Sequence, residues 1–130
     1  EILIGLVGSE MCIRDRSIGM DQLEAHERKL TGELLKMGDI EGIRILGPRE
    51  NADRIGTVAF DINGVHPHDV GQFIDAQGIA IRVGHHCAQP VHRHFGLYAS
   101  NRASCGVYNN VEDIHALLDA LGKVRAFFGA

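Results

Sequence analysis

Between Thr57 and Val83 the hydrophobic period changes twice, and few chain paths accommodate that. Thr57 to Ile62 alternates, with Val58, Phe60 and Ile62 on one face and Thr57, Ala59 and Asp61 on the other, which predicts a half-buried strand. Asn63-Gly64 breaks it. Pro67 suits a first helical position and Asp69 a first turn, Val70, Phe73 and Ile74 make the buried stripe, and Gly78 stops the helix. Ile79, Ile81 and Val83 then resume a period of two. Strand, helix and strand in so short a span predict a sheet with a helix laid on it.

The flanks extend the same plan. From Met20 the pattern is helical, with Asp21 and Glu24 as an N-cap pair, Leu23, Leu30, Leu34 and Met37 recurring at helical spacing, and Gly38 as the stop. Ile43, Ile45 and Leu46 predict a short strand ended by Gly47-Pro48, and Arg49 to Arg54 a polar turn. After Pro90 comes a short irregular or one-turn helical piece ending near Tyr98. Arg102 to Tyr108 alternates, with Ala103, Cys105 and Val107 on one face and Arg102, Ser104 and Tyr108 on the other. Asn110 caps a last helix striped by Ile114, Leu117, Leu118, Leu121 and Phe128. The expected fold is α+β: a small, mostly antiparallel sheet with helices packed on one side.

At 130 residues the chain suits one domain. A net charge of −4 gives no basic footprint for nucleic acid. No apolar run approaches the roughly 18–20 residues of a membrane span. Cys12, Cys87 and Cys105 are odd in number and far apart, which argues against a disulfide framework and for a reducing compartment, the cytoplasm. Residues 1–16 do not fit the pattern of the remaining chain and are expected to be a foreign or truncated segment; Cys12 is given no function. The domain proper is expected to span 17–130.

Six of eight histidines fall between His66 and His94, which marks the middle of the chain as its chemical part. At its centre stands Arg82-Val83-Gly84-His85-His86-Cys87-Ala88-Gln89-Pro90. Gly84 frees the backbone to turn, and Pro90 prevents a central strand from continuing. A short, stiff, polar loop should therefore hold up the Cys87 thiol. Arg82, His85 and His86 are the neighbours able to favour its thiolate. Two plainer readings compete: a small buried thiol, and a zinc site drawn from His85, His86, Cys87, His92 and His94. The histidine spacing matches no usual zinc set, so no metal is expected. His66 and His68 read as caps or surface groups, Cys105 as a core thiol, and Arg102 as a group displayed on the polar face.

These strings carry a resemblance. Residues 18–130 are similar to the C-terminal small domain of class-V aminotransferase-fold enzymes, the fold-type I pyridoxal phosphate enzymes. More narrowly, Arg-x-Gly-His-His-Cys-x-x-Pro at 82–90, with Arg102-Ala103-Ser104 beyond it, resembles the SUF-type (group II) cysteine desulfurases and selenocysteine lyases. The resemblance implies a full-length, homodimeric enzyme that takes sulfur from L-cysteine, or selenium from L-selenocysteine. It leaves L-alanine and an enzyme persulfide, which a sulfur-acceptor protein of the SUF system collects for iron–sulfur cluster assembly. It implies Cys87 as the persulfide nucleophile, Arg102 as the grip on the substrate carboxylate, and Arg82, His85 and His86 in support. The cofactor, pyridoxal 5′-phosphate, is bound in that family by a preceding large domain. Lys29, Lys36 and Lys123 do not stand in the family's lysine context. These residues alone are thus expected to bind no cofactor and turn nothing over. A free-standing sulfur-relay or zinc-binding module on the same scaffold is the alternative.

Overall fold

The computed structural model describes residues 17–51 and 54–130. Residues 1–16, with Cys12, and residues 52–53 of the polar turn lie outside them. Helix α1 (Met20–Leu34) tightens into a 3-10 turn, Leu35–Asp39. Strands β1 (Ile43–Leu46) and β2 (Thr57–Ile62), helix α2 (Pro67–Asp75), strand β3 (Arg82–Gly84), helix α3 (Gln89–Phe95), strand β4 (Ser100–Ser104) and helix α4 (Val111–Phe128) follow. The strands form one antiparallel sheet in the order β1-β2-β4-β3. The fold is α+β, as the sequence predicts.

Register sorts the sheet into two faces. Ile43 opposes Ile62, Ile45 opposes Phe60, and Val58 opposes Ala103. All six are buried, against Leu30, Leu34, Met37, Val70, Ile74, Leu117, Leu121 and Val124 of the helical layer. Burying each large apolar side chain contributes about 1.5–3 kcal/mol. A slip of one residue would turn Val58, Phe60 and Ile62 to the opposite face, so the apolar alternation fixes the pairing.

Helix ends follow local chemistry. Asn110 and Asp113 form a reciprocal cap on α4: the Asp113 N–H donates to Asn110 Oδ1 at 2.9 Å and the Asn110 N–H to Asp113 Oδ2 at 3.1 Å. At α2 the His68 N–H donates to His66 Nδ1 at 3.3 Å, with Pro67 in the first turn. Gly71 of α2 sits so close to β3 that a Cβ there would lie 2.6 Å from Val83 Cγ2.

Four local expectations need correction. Gly19 caps α1 without a side-chain bond, while Asp21 lies in the first turn and Glu24 pairs with Arg28 at 2.7 Å. Gly38 lies inside the 3-10 turn rather than ending α1. Strand β4 begins two residues before Arg102 and stops at Ser104; the Cys105 N–H turns aside to the Gly56 carbonyl at 2.7 Å, and Val107 is exposed. Strand β3 keeps only three residues, because Ile79 and Ile81 pack against the core edge without joining the ladder.

The piece after Pro90 is a seven-residue helix, and it covers the face opposite the long helices. His92 of α3 bonds Ser100, and Arg44 Nη2 donates to the Phe95 carbonyl at 3.4 Å. Ser100 and Arg44 alternate away from the core, on the side that carries Ala59, Asp61 and Arg102. The three longer helices thus pack on one side, and α3 covers part of the other.

Candidate functional site

The site grows out of the end of β3. Gly84 has φ 131°, open to glycine alone in practice. His86 and Cys87 follow at φ 52° and 58°. Left-handed backbone costs a non-glycine residue about 1–2 kcal/mol, and persists when the surroundings over-determine it. Here they do. The Ala88 N–H donates to the His85 carbonyl at 2.8 Å and closes the turn. The Ala88 carbonyl then accepts the N–H groups of Val91 at 3.0 Å and His92 at 3.2 Å as α3 starts. The His85 ring stands edge-on to Tyr98 at 4.9 Å and to His92 at 5.8 Å. Cys87 is left exposed at the apex as a free thiol.

Beside this turn lie two arginines. Arg82 and Arg102 are direct partners in the β3–β4 register, so they project from one face. Like charges placed opposite each other are unfavourable. Among the described residues neither arginine makes an ion pair, and Arg102 Nε is buried with no hydrogen-bond partner. A carboxylate between the two would relieve the repulsion and supply the missing acceptor, in the bidentate geometry that guanidinium favours.

His86 occupies the same cationic ground. Both its ring nitrogens are buried without a partner. Burial first, then the charges of Arg102 and His92 and, more weakly, Arg82, lower its pKa from the ordinary imidazole value; the Ser100 backbone pulls the other way. At neutral pH His86 is therefore a neutral ring. A neutral ring can accept a proton but does not supply the positive charge that the sequence equally allows.

Cys105 differs from Cys87. Its thiol donates to the Gly56 carbonyl at 3.3 Å. Burial, and then the Glu27 carboxylate, raises its pKa. It is a protonated thiol at the core edge. Among the described residues no three His, Cys, Asp or Glu side chains are arranged to hold a metal ion, and His85, Cys87 and His92 do not form such a set. The described lysines do not fit an aldehyde cofactor at this face. Lys29 is on α1 and Lys123 on α4, in the helical layer across the sheet, and Lys36 is bound to Glu33 at 2.7 Å.

The structure thus brings Arg82, His86 and Arg102 together, with His85 and Cys87 on the turn above. Sequence reasoning placed His92 only among possible zinc ligands and did not consider Ser100. The available signal was a histidine four residues after Ala88, at helical spacing on a helix too short to bury much else.

Comparison with known proteins bears on the fold and the family. The aminotransferase class-V family model matches residues 2–117. The chain is 46% identical over 114 residues to the probable cysteine desulfurase 2 of Mycobacterium leprae, covering 87% of this chain and 27% of that protein. It is 42% identical over 130 residues to a probable cysteine desulfurase of Halalkalibacterium halodurans, covering 98% of this chain and 31% of that one. Among solved structures, the apo cysteine desulfurase of Thermococcus onnurineus NA1 matches with a TM-score of 0.79 at 35% identity, over 84% of this chain and 27% of that one. The cysteine desulfurase CsdA of Escherichia coli, in an S-sulfonic acid form, matches with a TM-score of 0.73 at 30% identity, over the same shares of 84% and 27%. The chain therefore spans 27% to 31% of the length of these relatives. With that family model covering most of its residues and solved cysteine desulfurases sharing its fold, the chain belongs to the aminotransferase class-V family.

Proposed function

We propose that residues 17–130 are the small domain of a cysteine desulfurase, in which Cys87 accepts sulfur from L-cysteine. The observation that carries this reading is the opposed, unpaired Arg82–Arg102 couple beside an exposed thiol. The arginines bind the carboxylate of an amino acid, Arg102 in the leading role. The Cys87 thiolate attacks the substrate sulfur; an S–S bond forms, the substrate Cβ–S bond breaks, and its electron pair stays on carbon. Carbon takes a proton, giving L-alanine, and Cys87 keeps the sulfane sulfur as a persulfide. Protons balance when the one lost by the Cys87 thiol is counted against the one gained by alanine, and no external oxidant is needed. Neutral His86 is suited to hold the proton in transit, and His85 to fix the turn. Pyridoxal phosphate, bound by a preceding large domain as the resemblance implies, would supply the electron sink for this chemistry.

The rest of the reading follows from the exposure of Cys87. A persulfide there is open to a sulfur-acceptor protein that serves iron–sulfur cluster assembly. The free thiols suit the reducing cytoplasm, and the full-length enzyme is read as a homodimer. Among the described residues no helix is long and apolar enough to cross a membrane. The test is Cys87→Ser in the full-length enzyme, with alanine and sulfide both measured. Sulfide release should stop. Normal alanine production by this variant would exclude Cys87 as the acceptor. Arg102→Ala should raise KM for cysteine, and an unchanged KM would remove its carboxylate role.

A further inference from the structure

His92 is 3% exposed, and its ring makes two bonds that join the two halves of the site. Nδ1 lies 3.0 Å from the Ala88 carbonyl, an acceptor only, so Nδ1 donates there. Nε2 lies 2.9 Å from Ser100 Oγ, a hydroxyl able to donate or accept. Ala88 is the residue after Cys87, and Ser100 stands two before Arg102 on β4. One buried ring therefore ties the segment bearing the thiol to the strand bearing the guanidinium. The turn is also joined to β4 by the backbone pairing of Gly84 with Ser100.

We propose that His92 is a positioning residue that sets where the Cys87 sulfur sits relative to Arg102. The proposal rests on the reading of Cys87 as sulfur acceptor. The left-handed turn at His86 and Cys87 needs an external hold, and the ring fixes its downstream end. Loss of that hold leaves the arginines in place, so substrate still binds, but the sulfur meets it in the wrong geometry. Misplacement of about 1 Å can cost about 100-fold in rate.

The test uses the full-length enzyme with His92→Phe, His92→Gln and Ser100→Ala. His92→Phe keeps the ring volume and removes both bonds. Alanine formation should fall in kcat by roughly 10- to 100-fold, with KM for cysteine within about two-fold of normal. His92→Gln again offers a donor and an acceptor on one side chain, and should recover most of the rate. Ser100→Ala removes one bond and should fall between; it carries the test if His92→Phe does not fold. In hydrogen exchange, the Val91 and His92 amides, both bonded to the Ala88 carbonyl, should exchange faster in His92→Phe than in His92→Gln. An unchanged kcat, an equal disturbance of kcat and KM, or no rescue by Gln would overturn the proposal. Sulfur release surviving in Cys87→Ser would instead sink the reading of Cys87, while the exchange rates would still show whether His92 holds the turn.

Discussion

Gly71→Ala is the substitution through which the helical layer reaches the site most directly. Its new Cβ would lie 2.6 Å from Val83 Cγ2, roughly an ångström inside ordinary carbon contact. Val83 cannot swing away cheaply, because a β-branched side chain is stiff at χ1. Two effects oppose each other. Alanine gains about 1 kcal/mol over glycine inside a helix, whereas overpacking costs about 1–3 kcal/mol. The net is a loss of about 0–2 kcal/mol, taken up as a shift of β3, the strand that delivers the turn at Cys87. Urea unfolding of Gly71→Ala, Val83→Ala and the double variant separates the terms. The coupling should be favourable by about 1–3 kcal/mol, since deleting the γ-methyls removes the clash. Additivity within about 0.5 kcal/mol, or a Gly71→Ala variant more stable than the parent, would refute the close-contact argument.

Three further outcomes are expected of the same structure. His86 has its pKa lowered in the fold, so the unfolded chain binds its proton first as pH falls; its contribution to stability is complete above about 6.5 and is lost as pH drops toward the folded value. His86→Leu should flatten that part of the pH–stability curve, and an unchanged slope would count against the burial of the ring among cations. Asn110→Ala should cost about 0.5–2 kcal/mol in urea unfolding, because it removes one arm of the reciprocal cap on α4; no loss would mean that the cap is idle. Arg82→Gln should raise stability by about 0.2–1 kcal/mol at low salt, with the gain shrinking as salt screens the pair; a loss would show that Arg82 and Arg102 do not repel.

The parts legible in the sequence are those governed by local periodicity and punctuation. Val58, Phe60 and Ile62 announce a buried strand face, Pro67 the start of α2, and Asn110 the cap of α4, because each acts within a few residues of itself. The Arg82–Pro90 string likewise announces a turn lifting Cys87, and the turn is there, with its left-handed backbone at His86 and Cys87. Alternation also places Arg82 and Arg102 away from the core. Their pairing across β3 and β4 is beyond its reach, because register between strands far apart in sequence is a tertiary choice. The limits of β4 escape it for a related reason. Cys105 and Val107 continue the alternation, but Cys105 pairs with Gly56 and the chain turns at Gly106 to Asn109, a bond set by a distant glycine. Nor can the length of α3, or the two hydrogen bonds of the His92 ring, be inferred without knowing that Ser100 faces it.

The most direct measurement is the mass of the Cys87 peptide from full-length enzyme quenched during turnover with L-cysteine. The account predicts an added mass of about 32 Da, one sulfur, on Cys87, removable by a thiol reductant. An added sulfur found on Cys105 or any other side chain, with Cys87 unmodified, would contradict it.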